Sequence, residues 1–139
     1  MTMNADEFPS AVDPDLVGSY DALARAGGGL VWDDVLEYRV WCHPSEGGDD
    51  YYYAFEHLSD ALVFADTDPE AERPLALVLQ REWLDEPEAG QYQHQIGERV
   101  TEWQVEWLRR PRRTERTIPD FLSPNAPANR LDILRGEAS

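Results

Sequence analysis

Pro74-Leu75-Ala76-Leu77-Val78-Leu79 contains the one place in this 139-residue chain where five aliphatic residues follow one another without interruption. The run is far short of the about 20 apolar residues a membrane-spanning helix needs, and it is too apolar to face water. With Pro74 in front of it and Gln80-Arg81-Glu82 behind, it predicts the central strand of a sheet buried on both faces.

Downstream, the strand is expected to continue through Trp83-Leu84 and to end at a turn over Asp85-Glu86-Pro87-Glu88-Ala89-Gly90. Gln91 to Ile96 and Arg99 to Leu108 then read as two strands joined by a tight hairpin at Gly97-Glu98. In the second of these, Thr101, Trp103, Val105 and Trp107 share one face, and Glu102, Gln104 and Glu106 the other. Upstream, Leu58, Ala61, Leu62 and Ala65 recur at helical spacing, and Asp68-Pro69 closes that segment. Before it lie two strands. Glu37 to Cys42 alternates Tyr38, Val40 and Cys42 against Glu37, Arg39 and Trp41, and Tyr51 to Phe55 is dense in aromatic residues. The glycine-rich acidic stretch from Ser45 to Asp50 between them predicts an exposed loop and a hairpin. Asp13-Pro14-Asp15 has the chemistry of a helix start, Leu16, Tyr20 and Leu23 recur at helical spacing, and Gly27-Gly28-Gly29 stops the helix.

These elements make an α+β fold: a mostly antiparallel sheet of about five strands, one helix packed on it, an N-terminal helix and an extended C-terminal arm. Residues 1–12 have no periodicity and are expected to be disordered, residues 13–108 form the domain, and residues 109–139 form an arginine- and proline-rich arm. Prolines at 111, 119, 124 and 127 argue against regular structure before Asn129, yet Phe121, Leu122, Leu131, Ile133 and Leu134 are too apolar for a free tail. The arm is therefore expected to pack on its own domain or on a second copy.

Charge supports docking. Residues 1–108 hold 24 acids and five arginines, whereas residues 109–139 hold four acids and seven arginines. The formal net charge of −16 opposes binding to nucleic acid and to anionic lipid, and the Arg109 to Arg116 run is better placed to pair with the protein's own acids. All 12 basic residues are arginine, which excludes a Schiff-base lysine. One cysteine, no signal-like N-terminus and no long apolar stretch predict a cytoplasmic protein with no membrane association.

No spacing among His43, His57, His94, Cys42, Asp49 and Asp50 suits a metal ion, and Cys42 and His43, adjacent on a strand, point to opposite faces. The candidate pocket is placed at the polar exit of the central strand. It comprises Arg81, Glu82 and Trp83, with Trp41, His43 and Tyr52 beside them, and the competing reading of Arg81 and Glu82 is simple ion pairing. Trp32, Trp41, Tyr51, Tyr52, Tyr53, Trp83, Trp103 and Trp107 exceed what one small sheet buries, so part of this set is expected in a ligand wall or an interface.

The run from Glu37 to Pro44, with Pro74 to Glu82, Thr117 to Leu122 and Arg130 to Gly136, resembles a set of small alphaproteobacterial proteins of unknown role over about residues 37 to 136. Members of that set are sometimes labelled acetyltransferases of the GNAT superfamily, which implies an acetyl-CoA-dependent N-acetyltransferase. Such an enzyme holds the cofactor's pyrophosphate in a glycine-rich loop between a strand and a helix. The nearest stretch here is Arg25-Ala26-Gly27-Gly28-Gly29-Leu30, which ends in Leu30 and follows an expected helix, so no catalytic or cofactor residue is carried across. The first expectation is instead a non-enzymatic binding or homo-oligomeric interaction domain without a cofactor. It would be a homodimer joined through the arm or the exposed aromatics, with the acetyltransferase as alternative.

Overall fold

A computed structural model describes residues 4–138. In chain order its elements are β1 (Arg25–Ala26), β2 (Asp34–Cys42), β3 (Tyr51–Phe55), α1 (Leu58–Thr67), β4 (Leu75–Glu88), β5 (Gln91–Gln104), α2 (Thr117–Leu122) and α3 (Arg130–Leu134). The strands form one five-stranded sheet in the order β1-β5-β4-β2-β3, antiparallel throughout except for the short parallel pair of β1 with β5. This is the α+β fold expected, with the apolar run at its centre: Ala76, Leu77 and Val78 are fully buried between β2 and β5.

One sheet face carries Tyr38, Val40, Ala76, Val78 and Trp103, and α1 lays Leu58 and Ala61 on it. The opposite face is covered by residues 18–22, an irregular segment. A bulge in β2 at Leu36 sets the register, since Val35 stands opposite Val78 while Glu37 stands opposite Leu77. The extra residue turns Glu37 and Arg39 onto the second face and Tyr38 onto the first.

Four local expectations give way to tertiary contacts. The N-terminal helix reduces to a 3₁₀ turn at Pro14–Leu16, Gly18 departs into positive φ at 87°, and Leu23 is 92% exposed. A helix would consume the carbonyls of Asp21 and Ala22 in its own ladder, and here both accept hydrogen bonds from Arg39. The supposed hairpin at Gly97-Glu98 is a bulge within an unbroken β5: Gln80 faces Arg99, Glu82 faces Ile96, and the two-residue turn comes earlier, at Ala89-Gly90. Beyond Gln104 the expected strand becomes a 3₁₀ turn over Val105–Arg109. The C-terminal segment is not wholly extended either, because Pro119 falls in the first turn of α2, where a backbone N–H has no acceptor within the helix.

The arm docks on its own domain. Ile118, Phe121 and Leu134 close a second apolar cluster with Val31 and Leu84, and Trp83, Tyr92 and Leu131 pack around it. Of the N-terminal residues expected to fray, 1–3 lie outside the described residues. Phe8 and Ala11 are buried, Tyr38 donates its hydroxyl hydrogen to the Pro9 carbonyl, and Ala11 N donates to Glu56 O at 2.9 Å. Among the described residues no helix is long and apolar enough to cross a membrane.

Candidate functional site

The six residues expected to share a pocket lie in three places. At the polar exit of β4, Gln80 is fully buried and saturated. Its Nε2 donates to the carbonyls of Gly28 (3.0 Å) and Val31 (2.7 Å), and its Oε1 accepts from Arg99 Nε (2.8 Å) and Thr101 Oγ1 (3.3 Å). Arg81 and Glu82 belong to an ionic seam with the arm. Arg113 is forked between Asp33 Oδ1, at 2.7 Å from Nη2, and Glu82 Oε2, at 2.7 Å from Nη1. Arg81 Nη1 lies 3.1 Å from Asp34, which also receives Arg112, and Glu82 Oε1 meets His94 Nε2 at 2.7 Å. Arg81 and Glu82 do form ion pairs across strands, with Asp34 of β2 and His94 of β5, and Glu82 also pairs with Arg113 of the arm. The opening sought here is filled by the protein's own Arg113.

Trp83 stands nearby with Arg99 over its ring at 4.4 Å. Gly29 is wedged beside both, in positive φ at 79°, where an added Cβ would come within 2.5 Å of Arg99 Nη2 and of Gln80 Nε2. A side chain there would displace Arg99 and Gln80 and would have to adopt a backbone conformation that favours glycine.

Trp41 and Tyr52 lie elsewhere, on the second sheet face, with ring centroids 4.8 Å apart. They frame a buried network. Arg39 Nε donates to Glu37 Oε2 (2.7 Å) and its Nη1 to Glu102 Oε2 (3.2 Å), Trp41 Nε1 donates to Glu102 (2.8 Å), and Gly18 N caps Glu37 Oε1 (2.8 Å). Arg39 and Glu37 are both fully buried. The alternation in β2 correctly put these residues on a separate face from Tyr38 and Val40. It missed that this face would also be dry, because the covering segment 18–22 looked helical.

His43 is in the third place, bridging Asp50 and Glu72 at 2.8 Å each. The hydrogen bond to Asp50, then that to Glu72, holds its imidazole above the ordinary value of 6.5. His57 sits between Ser10 and Glu56, so the three histidines are dispersed, and among the described residues no three His, Cys, Asp or Glu side chains converge to hold a metal ion. Cys42 is buried, and burial pushes its thiol up, away from the reactive thiolate.

What remains open is the outer side of β3. Among the described residues no strand pairs with it there. Tyr51 and Tyr53 are 40% and 49% exposed, packed edge to face at 5.8 Å, and Tyr53 continues onto Phe64 of α1 at 4.9 Å. The environment is acidic: partial burial first, and then Cys42, Glu70 and Asp68, raise the Tyr51 hydroxyl above its ordinary value. Of the surplus aromatics, Tyr51 and Tyr53 are the ones left at the surface, whereas Trp32 and Trp103 are core.

No protein-family model matches the chain, and no curated protein and no solved structure matches it.

Proposed function

We propose that the protein is a non-enzymatic, cytoplasmic binding domain that takes an extended, basic segment of a partner protein onto the free edge of β3. The observation that carries this reading is a strand with one unpaired side, bearing two half-exposed tyrosines. Such an edge offers main-chain hydrogen bonds to an incoming strand, and alternate side chains supply selectivity. Charge selects the occupant. Asp49, Asp50 and Glu56 flank β3 in a chain of net charge −16, so a second copy brings the same sign to the contact and an arginine- or lysine-bearing strand brings the opposite one. The arm, the other surface expected to join two copies, is already occupied on its own domain.

The test is titration of a labelled peptide of alternating arginine and valine, followed by amide chemical shifts. Saturable binding with shifts centred on residues 49–56, weakened about tenfold by Tyr53→Ala, supports the reading, a loss of about 1.4 kcal/mol. Shifts spread over the acidic surface, or none, overturn it. Light scattering that returns twice the 15.9 kDa chain mass would replace the basic segment with a second copy.

A second reading, the acetyl-CoA-dependent N-acetyltransferase, is favoured by one feature. Gly27, Gly28, Gly29 and Leu30 all have positive φ (49°, 89°, 79° and 65°) and, with Arg25 and Arg99, line a cleft of about 340 Å³. Turns of successive N–H groups can cradle phosphate. Asp85 and Glu86 line the same cleft and oppose the cofactor's charge. A rise in unfolding temperature with acetyl-CoA, absent with Arg25→Glu, would promote this reading over the first.

A further inference from the structure

Arginine is outnumbered by acids in this chain, 12 to 28, and the guanidinia of Arg39, Arg73, Arg81, Arg112, Arg113 and Arg116 each sit against a carboxylate. Arg110 and Arg135 do not: neither has an ion-pair partner among the described residues. Both nonetheless line one cleft, of about 650 Å³, between the Val105–Arg109 turn and the end of α3. Arg110 lies 5.2 Å from the ring centroids of both Trp103 and Trp107, and Trp107 also walls the cleft. Arg135 Nε is buried with no hydrogen-bond partner among the described residues.

Two cations brought together with one buried donor unsatisfied is an arrangement that folding alone does not favour, since an orphaned charged donor is costly and like charges repel. The repulsion is felt: burial, and next the neighbouring Arg135, lower the pKa of Arg110, with Glu137 as a smaller opposing influence. The backbone holds the pair in place. Gly136 turns through φ 74°, with room for no Cβ, since one would stand 2.9 Å from the Arg109 carbonyl, and Gly136 N is bonded to Ile133 O at 3.0 Å. Of the two acids lining the cleft, Glu106 is already engaged by Arg73 at 2.8 Å, and Glu137 is exposed.

We infer that this cleft is a binding site for a phosphoryl-bearing anion, gripped by Arg110 and Arg135 against the Trp107 indole. A doubly charged phosphoryl group matches two guanidinia in charge and offers several acceptor oxygens to their planar forks. The distant carboxylates of this acidic chain do not forbid it, because their field is screened beyond about 8 Å at physiological ionic strength. The site shares no residue with β3, so it stands or falls separately from the edge-binding reading.

The experiment is calorimetric titration of the full chain with inorganic pyrophosphate at fixed ionic strength, with circular dichroism to confirm the fold of each variant. Saturable binding is expected, weakened at least tenfold by Arg135→Gln and by Arg110→Gln and unchanged by Arg116→Gln at the exposed N-cap of α2. If Arg110→Gln unfolds the protein through loss of its contacts with Trp103 and Trp107, Arg135→Gln alone decides, because that side chain has no other hydrogen-bond or ion-pair partner to lose among the described residues. Absence of saturable heat in the wild-type protein overturns the inference. So does equal affinity in wild type and Arg135→Gln, or a loss seen only with Arg25→Gln, which would move the site to the glycine turn.

Discussion

Arg39 and Arg113 are each forked between two carboxylates, but they do different work. Arg39 joins Glu37 and Glu102 beneath residues 18–22, with Arg39 and Glu37 fully buried and only Glu102 reaching the surface. Arg113 joins Asp33 and Glu82 at a seam where the arm meets the sheet, with 28% of the Glu82 side chain still exposed. Taking Arg39 and Glu37 out of water carries a desolvation penalty that their attraction does little more than offset, so that network chooses which segment covers the sheet more than it adds stability. The seam keeps part of its hydration. It fastens a segment whose own helices, of six and five residues, are too short to persist alone.

The difference can be broken most sharply at Arg39. Arg39→Met leaves two carboxylates under a cover built to meet a cation, and is expected to destabilise the protein by about 3–5 kcal/mol in urea unfolding. Adding Glu37→Leu should return part of that loss. If the double variant is as unstable as the single one, the covering segment is held by something other than this charge pair. Arg113→Ala is expected to lower stability by about 1–3 kcal/mol, with increased protease cleavage within residues 109–138 as the arm loosens. Its effect should shrink in about 1 M salt, where screening acts within about 3 Å, while that of Arg39→Met should not. Equal salt sensitivity would erase the distinction between the two networks.

The smallest expected effect is at His43, which tests an exposed pair of ionic contacts against both. Because Asp50 and Glu72 raise its folded-state value, the contribution of the charged ring is fully present below about pH 6.5 and is lost as pH rises through that raised value. The difference in unfolding temperature between wild type and His43→Gln should therefore narrow from about pH 6 to about pH 9. A difference that stays constant would mean that the ring acts through packing.

Much of the architecture was legible because it follows from short-range pattern. The run 75–79, the alternation in β2, the aromatic β3 and the helical spacing of Leu58, Ala61, Leu62 and Ala65 each point to a single element, and each element is present. The strong positive bias of residues 109–139 against an acidic body announced a docked arm, and the seam of Arg112 and Arg113 on Asp33 and Asp34 is that docking. The proposed pocket was less legible. Glu82, Trp41 and His43 stand on or beside neighbouring strands, but strand neighbours share a site only when they share a face and a height, and the bulges at Leu36 and at Gly97-Glu98 shift both.

By itself, then, the sequence determined the α+β class, the centre of the sheet and the sign of the attraction between body and arm, since these rest on hydrophobic period and net charge. Only the tertiary structure decided that residues 13–26 would forgo a helix to lend their carbonyls to Arg39, that Arg113 would pair with Glu82 beyond the apolar run of β4, and that Arg110 and Arg135 would line one cleft with neither in an ion pair among the described residues. Each of those outcomes depends on which distant group needs a partner once water has been excluded, and local periodicity does not encode that need.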